Sequence, residues 1–303
     1  MKVLVMGSGA VGGYFGAKLA RAGEDVYFVS RGPHLEAMRR SGLRINSPTQ
    51  GDFTVSTRTG TTTEAVQAGP YDLVLFATKS YDTEAAAAQI LPALGPGTVV
   101  LCLQNGIDNE AVLGKVLGAG RVMGGVAYIE AALVEPGVIR HSAAGRVIVG
   151  ELNGSLTPRA QAVHDLFARG GIPCELSPDI AVAKWEKLLF NCALNPMTAL
   201  ARQGIASIVA IPEGLDTCRR VMEEVRDVAR AAGVALPEDT VQRLLRFATG
   251  ADMHSSMEYD LLHGRPLELE ALNGVVLRLG RRQGVQTPVN EALYALLKAI
   301  APG

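Results

Sequence analysis

The first half of the chain alternates short apolar runs with stretches in which apolar residues recur at helical spacing. The apolar runs are continuous, which is typical of strands buried on both faces of a sheet. The predicted strands are Lys2–Met6, Asp25–Ser30, Asp72–Ala77 and Thr98–Leu103. The predicted helices between them are Ala10–Ala22, Pro33–Ser41, Thr83–Leu91 and Asn109–Leu117. This order predicts a doubly wound parallel sheet.

The pattern changes twice in the second half. Residues 121–150 are β-rich, with a predicted turn at Pro136-Gly137. After about Ser177 only helical patterns remain, ended by glycines and opened by prolines. The predicted helices are Asp179–Arg202, Glu213–Ala232, Glu238–Thr249, Pro266–Arg282 and Pro288–Ala299. The fold class is therefore α/β, with a Rossmann-type domain over 1–177 and an all-helical C-terminal domain over 178–303.

Charge and cysteine usage exclude several classes of protein. The 303 residues include 29 basic and 30 acidic ones, so we expect neither a nucleic-acid nor a membrane partner. The four cysteines are widely spaced, and no Cys/His cluster predicts a disulfide framework or a bound metal. No apolar run approaches the ~18 residues of a membrane span. We expect a cytoplasmic protein.

A glycine-rich motif of the G-x-G-x-x-G type follows the first predicted strand and opens the first predicted helix. We call it the glycine turn; its residues are Gly7, Ser8, Gly9, Ala10, Val11 and Gly12. In this context the motif predicts a dinucleotide site, with the pyrophosphate at the helix N-terminus. Gly7 permits the tight turn, Gly9 leaves room for the pyrophosphate, and Gly12 allows close packing of helix and strand. A glycine-rich turn without a ligand is the alternative.

The end of the second strand indicates which dinucleotide binds. An NAD site usually has an acidic residue there, but this strand ends in Ser30-Arg31. Glu24 and Asp25 stand at the opposite end of the strand. Because an arginine can grip a 2′-phosphate with two hydrogen bonds, Arg31 favours NADPH/NADP+ over NADH. A surface arginine that merely starts a loop is the alternative.

Two further loops follow strands of the predicted sheet, after "DLVLFATK" and "VVLCLQN". In a doubly wound sheet, ligands lie beyond the carboxyl ends of the strands. We therefore expect Lys79 and Asn105, which end these stretches, near the nicotinamide half of the cofactor. From the pattern alone, a solvated lysine and a turn asparagine are equally good interpretations.

The stretch "AKWEKLLFNCALNPMTAL" carries three polar residues on one side of an apolar helix. Lys187, Asn191 and Asn195 are spaced four residues apart, so they share a face within about 80°. We call these three residues the lysine face. Pro196 cannot donate to the carbonyl of Cys192, and a kink is expected there. The alternative is an exposed polar stripe on a half-buried helix.

The chemistry of the lysine face suits reduction of a carbonyl. Hydride addition turns a ketone into an alkoxide, which a cationic proton donor stabilises, while amides can orient a carboxylate or hydroxyl. Further on, "SSMEYD" and "ELEALNG" contribute five more polar residues: Ser255, Ser256, Glu268, Glu270 and Asn273. Helix-capping serines, and a glutamate near the N-terminus of the Pro266–Arg282 helix, are the simpler interpretation.

With these pieces assembled, the chain resembles the ketopantoate reductase (2-dehydropantoate 2-reductase) family almost from end to end. The stretches that carry the resemblance are "GSGAVGGYFG", "SRG", "TKSYDT", "LQNG", "PGVIRH", "WEKLLFNCALNPMTAL", "SSMEYD" and "ELEALNG". The resemblance implies NADPH-dependent reduction of a branched 2-oxo acid, most simply ketopantoate to pantoate.

The resemblance also implies residue roles. Lys187 would be catalytic, and four residues would contact substrate: Asn105, Asn191, Asn195 and Ser256. The glycine turn would hold the cofactor together with Arg31, Lys79, Asn105 and Glu268. No metal is implied, and a homodimer is compatible with the apolar helical half.

One position departs from the family pattern. Some relatives have another substrate-binding asparagine about ten residues after the one matching Asn195, where this chain has Ile205. Arg202 or Gln203 would compensate, or the substrate would differ. A related dehydrogenase for another 2-oxo acid or an opine, and a non-catalytic NADPH sensor, are the alternative functions.

Overall fold

The computed structural model of the chain describes residues 1–251 and 253–302. Its contacts divide the chain into two compact units, 1–104 with 109–180 and 105–108 with 181–303. We call them the sheet unit and the helical unit. The domain ranges expected from the sequence, 1–177 and 178–303, stay predictions.

The described part of the sheet unit contains one ten-stranded, mostly parallel sheet. Its strands are β1 (Lys2–Met6), β2 (Asp25–Val29), β3 (Leu43–Asn46), β4 (Phe53–Val55), β5 (Arg58–Gly60), β6 (Tyr71–Phe76), β7 (Leu94–Cys102), β8 (Val122–Glu135), β9 (Val138–Gly150) and β10 (Cys174–Leu176). The strand order is β4-β3-β9-β8-β7-β6-β1-β2-β5, with β10 beside β9. Strand β1 lies between β2 and β6, and the chain winds away from it in both directions, as predicted.

Helices cover both faces of this sheet. They are α1 (Ala10–Arg21), α2 (Gly32–Ser41), α3 (Thr62–Ala68), α4 (Thr83–Ile90), α5 (Asn109–Leu117) and α6 (Pro158–Arg169). Alternate residues of β1 enter two different apolar clusters: Val3 and Val5 pack in one, Leu4 and Met6 in the other. This two-sided burial explains why the parallel strands read as continuous apolar runs.

The β-rich segment after residue 121 is a long antiparallel hairpin of β8 and β9, which turns at the predicted Pro136-Gly137. Gly137 has a φ of +81°, a backbone conformation that glycine adopts without strain. The hairpin extends the sheet, because β8 pairs with β7, and β9 pairs with β3 and β10. The sequence pattern indicated strands here but not their partners.

The described part of the helical unit contains helices and no strand. They are α7 (Ile180–Ala201), α8 (Ile205–Val209), α9 (Pro212–Ala231), α10 (Thr240–Thr249), α11 (Ser256–Leu262), α12 (Val275–Gln283) and α13 (Pro288–Ile300). Buried residues from most of these helices share one apolar core. The predicted fold class, a doubly wound sheet followed by a helical region, is confirmed.

One predicted helix is wrong at its start. The helix expected over Pro266–Arg282 is instead a π-helical turn, Glu270–Gly274, followed by α12. Glu268 therefore precedes the helix and is not part of its first turn. Among the described residues, no helix has the length and apolar content needed to cross a membrane.

Candidate active site

The glycine turn connects β1 to α1 and leaves open space at one of its glycines. A Cβ at Gly7 would stand 2.8 Å from the Ala77 carbonyl carbon, and one at Gly12 would stand 2.2 Å from the Gly7 carbonyl oxygen. A Cβ at Gly9 would meet no protein atom within 4 Å. Gly7 and Gly12 are thus required by packing, whereas the space beside Gly9 suits a ligand. The turn fits the pyrophosphate of a dinucleotide.

The glycine turn is braced by residues that contact its backbone. The Ser8 hydroxyl donates to the Val29 carbonyl at 2.7 Å. The His34 ring lies between the turn and the β8–β9 hairpin: its Nδ1 accepts from the Gly137 N–H at 2.9 Å, and Nε2 stands 2.8 Å from the Ser8 carbonyl. Since Nδ1 accepts, the proton sits on Nε2 and is donated to Ser8.

Burial lowers the pKa of His34, although its bond to the Ser8 carbonyl opposes that shift, so the neutral ring is favoured. No local sequence pattern indicated this role of His34, because its two partners stand 26 and 103 residues away along the chain. The Ser8 hydroxyl is engaged by the Val29 carbonyl, and its predicted contact with the cofactor stays a prediction.

Arg31 stands at the carboxyl end of β2, where the sequence analysis expected a contact to the cofactor ribose. Its side chain is 91% exposed and pairs with Asp82 at 3.3 Å. Asp25, at the other end of β2, pairs with Arg58 at 2.8 Å. Asp25 thus forms an ion pair at the start of β2 and not at its carboxyl end, as the sequence suggested.

Lys79 follows β6 in the segment beside the glycine turn, because β6 is the neighbour of β1. The Ala77 N–H donates to the Met6 carbonyl at 2.9 Å and ties the two strand ends together. Gln104, which is buried at the end of β7, donates to the carbonyl of Thr78 at 2.9 Å and to the Thr83 hydroxyl at 2.9 Å. Gln104 thus fixes the conformation of this loop, a role that the sequence pattern did not predict.

The lysine face is buried in the helical unit, so the alternative of an exposed stripe is wrong. Asn191 is 8% exposed and Asn195 is 6% exposed, while Lys187 is half-buried. Within the ranges that the structure describes, neither asparagine amide forms a side-chain hydrogen bond to the protein. Because no described protein group occupies these two amides, they are available to a ligand.

The environment of Lys187 changes its proton affinity. Burial lowers the pKa of its ammonium to about 8, the Glu268 carboxylate opposes that shift, and the nearby Lys184 ammonium adds to it. Glu268 is itself 9% exposed. A lysine with its pKa near neutrality is suited to proton transfer. Lys184, one turn before Lys187, is a buried cation that the sequence analysis missed.

The two serines of "SSMEYD" divide their roles. Ser255 is the N-cap of α11: its side chain accepts the Glu258 N–H at 3.0 Å, and its hydroxyl lies 2.7 Å from that of Thr198 on α7. Ser256 is exposed. The capping interpretation therefore applies to Ser255 and leaves the Ser256 hydroxyl available for a ligand.

Asn105 belongs to the helical unit, although it follows a strand of the sheet. The segment 105–108 is held there by Ile107, which packs against the helical core, and by Asp108, which pairs with Arg278 at 3.1 Å. Arg278 also pairs with Glu270 at 3.1 Å.

The predicted site residues are thus divided between the units. The helical unit contains Asn105, Lys187, Asn191, Asn195, Ser256 and Glu268, and the sheet unit contains the glycine turn, Arg31 and Lys79.

The position that departs from the family pattern is part of the core. Ile205 is 2% exposed within the helical core, and its N–H donates to the Met253 carbonyl at 2.9 Å. Arg202 and Gln203 are exposed, and Arg202 has a φ of +53°. Ile205 therefore presents no polar group to a ligand.

Comparisons with known proteins identify the family of the chain. Family models described as "Ketopantoate reductase PanE/ApbA" and "Ketopantoate reductase PanE/ApbA C terminal" match residues 3–154 and 179–301. A 2-dehydropantoate 2-reductase of Halobacterium salinarum is 35% identical over 98% of this chain and 98% of its own.

Two solved structures are also similar over nearly the whole chain. A 2-dehydropantoate 2-reductase from Geobacter metallireducens is 36% identical, with a TM-score of 0.92 over 98% of this chain and 99% of its own. A PanE/ApbA family ketopantoate reductase from Ralstonia eutropha is 36% identical, with a TM-score of 0.91 over 99% of this chain and 98% of its own. The chain belongs to the ketopantoate reductase family.

Proposed function

We propose that the protein reduces 2-dehydropantoate to pantoate with NADPH, and that Lys187 is its catalytic residue. The observation that carries this proposal is the buried lysine face. It combines one lysine whose pKa is lowered to about 8 with two buried amides that have no side-chain partner among the described residues. Together they offer a proton and two orienting groups to a small polar substrate.

Reduction of a 2-oxo acid needs a hydride at the carbonyl carbon and a proton at its oxygen. When bound, NADPH supplies the hydride. The Lys187 ammonium donates its proton to the carbonyl oxygen as negative charge develops there. With a pKa of about 8, Lys187 is largely protonated at pH 7 yet gives up a proton readily. Glu268 keeps it protonated by raising its pKa.

The asparagines and Ser256 orient the substrate. The amides of Asn191 and Asn195 can donate to its carboxylate and accept from its hydroxyl, because an amide carries both groups. Ser256 adds a hydroxyl, and Asn105 adds an amide from the segment 105–108. Fixing a carboxylate and a carbonyl oxygen together selects 2-oxo acids over simple ketones.

The sheet unit holds the cofactor in this proposal. The glycine turn provides the space beside Gly9 and the N–H groups at the start of α1 for the pyrophosphate. Arg31 is exposed at the end of β2, where a guanidinium can pair with the 2′-phosphate that distinguishes NADPH from NADH. Lys79 lies in the neighbouring loop after β6 as a second cationic contact.

The experiment that tests the function follows the absorbance of NADPH at 340 nm with a panel of 2-oxo acids. We expect 2-dehydropantoate to be the best substrate by kcat/KM. A better rate with another 2-oxo acid would make Ile205 the first residue to examine, because its core position supplies no polar contact. Bound NADPH without turnover of any member of the panel would favour an NADPH sensor and contradict the proposal.

The proposal includes a cytoplasmic location for the protein. The four cysteines form no disulfide within the described residues, which suits the reducing cytoplasm. A homodimer stays a prediction, which light scattering tests: a monomeric mass would contradict it.

A further inference from the structure

Pro196 removes one backbone hydrogen bond from the interior of helix α7. A proline has no N–H, so the carbonyl four residues earlier loses its helical partner. That carbonyl belongs to Cys192, and the Cys192 residue is fully buried. Buried carbonyls need a hydrogen-bond donor, and this one lies in the turn that links Asn191 to Asn195.

The side chain of Asn273 supplies the missing donor. Its Nδ2 donates to the Cys192 carbonyl at 3.1 Å, and the residue is fully buried. Asn273 stands in the π-helical turn, where the Gly274 N–H donates to the Leu269 carbonyl at 2.8 Å. π-Helical turns occur frequently at functional sites.

The orientation of the Asn273 amide is fixed by a chain of acceptors. Nδ2 of Asn290 contacts the Val221 carbonyl at 3.3 Å and a Glu224 carboxylate oxygen at 2.8 Å, which can only accept. The Asn290 oxygen must therefore face Asn273, whose Nδ2 donates to it at 3.0 Å. A rotated Asn273 amide would place its oxygen against two acceptors, Cys192 and Asn290.

The oxygen of the Asn273 amide indicates that the N–H groups of this amide carry its structural role. Asn273 Oδ1 is buried and has no partner in the part of the chain that the structure describes. An apolar side chain of similar size would avoid the cost of this unpartnered oxygen. The N–H groups of Asn273 therefore account for an amide at this position. They connect α7 to Asn290 and, through it, to Glu224.

We propose that Asn273 is a positioning residue for the lysine face: it replaces the hydrogen bond that Pro196 removes and so holds the turn that carries Asn191 and Asn195. The inference rests on the proposed function, because its effect on catalysis passes through the substrate-binding amides. Asn273 itself touches neither substrate nor cofactor in this account.

A double-mutant cycle tests the proposal. Asn273→Ala should lower kcat/KM for 2-dehydropantoate by about 10-fold to 100-fold, mainly through KM, while the Kd of NADPH stays unchanged. Pro196→Ala restores an N–H opposite the Cys192 carbonyl. The double variant should therefore recover most of the lost kcat/KM, which a general loss of stability would not produce.

The control is Val228→Ala, which opens a cavity in the helical core at α9 and changes none of the hydrogen-bonding side chains of the network. It should lower stability and leave KM within about 3-fold of wild type. An Asn273→Ala variant within about 3-fold of wild type, or a double variant no better than Asn273→Ala, would overturn the proposal. If Asn273→Ala does not fold, a folded double variant supports the proposal and an unfolded one contradicts it.

Amide hydrogen exchange across residues 191–198 separates this inference from the proposed function, because it needs no substrate. Asn273→Ala should speed exchange in this segment, and adding Pro196→Ala should slow it again. Unchanged exchange in Asn273→Ala would overturn the inference. Wild-type protein that reduces no 2-oxo acid would instead contradict the proposed function and leave this exchange test in force.

Discussion

The glycine turn and the lysine face are suited to ligands by opposite means. The glycine turn uses backbone: two of its glycines are required because a Cβ would strike Ala77 or Gly7, and the third leaves space. The lysine face uses side chains, one half-buried ammonium and two buried amides on an otherwise apolar helix. A turn of the first kind can hold a cofactor for many reactions, whereas in our proposal the second kind determines which reaction takes place.

The largest expected effect comes from the lysine face. Lys187→Ala removes the proposed proton donor, so turnover should fall by about 10²- to 10⁴-fold while the Kd of NADPH stays unchanged. Absorbance at 340 nm gives the turnover, and fluorescence titration gives the affinity. Arg230→Ala, which removes an exposed cation from α9, should leave both unchanged. Turnover near the wild-type value would remove Lys187 from its role.

Two glycine substitutions should separate packing from binding in the glycine turn. Gly12→Ala places a Cβ 2.2 Å from the Gly7 carbonyl oxygen and should lower the free energy of unfolding by about 1–3 kcal/mol or more. Gly9→Ala should leave stability within about 0.5 kcal/mol but raise the Kd of NADPH by at least about 10-fold. Chemical denaturation and fluorescence titration measure these quantities. Equal losses of stability would contradict the assignment of the open space to the cofactor.

Arg31 should give a smaller, cofactor-dependent effect. Arg31→Ala should weaken NADPH by about 10-fold and leave NADH nearly unchanged, because only NADPH carries the 2′-phosphate. The control is Arg58→Ala, which removes the cation that pairs with Asp25 at the opposite end of β2. It should change neither affinity. Equal weakening of both cofactors would argue against a 2′-phosphate contact.

The smallest expected effect is a shift of the pH profile. In the proposed mechanism Lys187 must be protonated, so kcat/KM should be flat below its pKa of about 8 and fall about tenfold per pH unit above it. Glu268→Gln removes the carboxylate that raises this pKa, so the fall should begin at lower pH, by about one unit or less. Lys184→Met should move it to higher pH. A profile that neither variant moves would contradict the electrostatic account.

Local patterns predicted much of the fold and of the candidate site. Strand β1, helix α5 and the glycine turn are signalled by consecutive residues, and the lysine face by a helical period. The pattern did not show whether the lysine face was buried, because burial depends on the other helices. The start of the Pro266–Arg282 helix was wrong, since no local signal marks a π-helical turn.

The roles of His34 and Asn273 depend on distant partners, so no local pattern indicated them, although Asn273 was among the polar residues noted in "ELEALNG". His34 joins Ser8 to Gly137, and Asn273 reaches a carbonyl 81 residues away. For Asn273 a signal did exist, because Pro196 implied an orphaned carbonyl at Cys192 and hence a donor from elsewhere in the fold. Nothing in the sequence identified that donor.

Single-turnover reduction of 2-dehydropantoate under saturating NADPH most directly tests whether the glycine turn binds the cofactor while the lysine face carries out the chemistry. Rates are compared for wild type, Gly9→Ala and Lys187→Ala, with cofactor raised until each rate no longer increases. The account predicts a Gly9→Ala rate within about 3-fold of wild type and a Lys187→Ala rate lower by about 10²-fold or more. A Lys187→Ala rate equal to wild type would contradict the assignment of the chemistry to the lysine face.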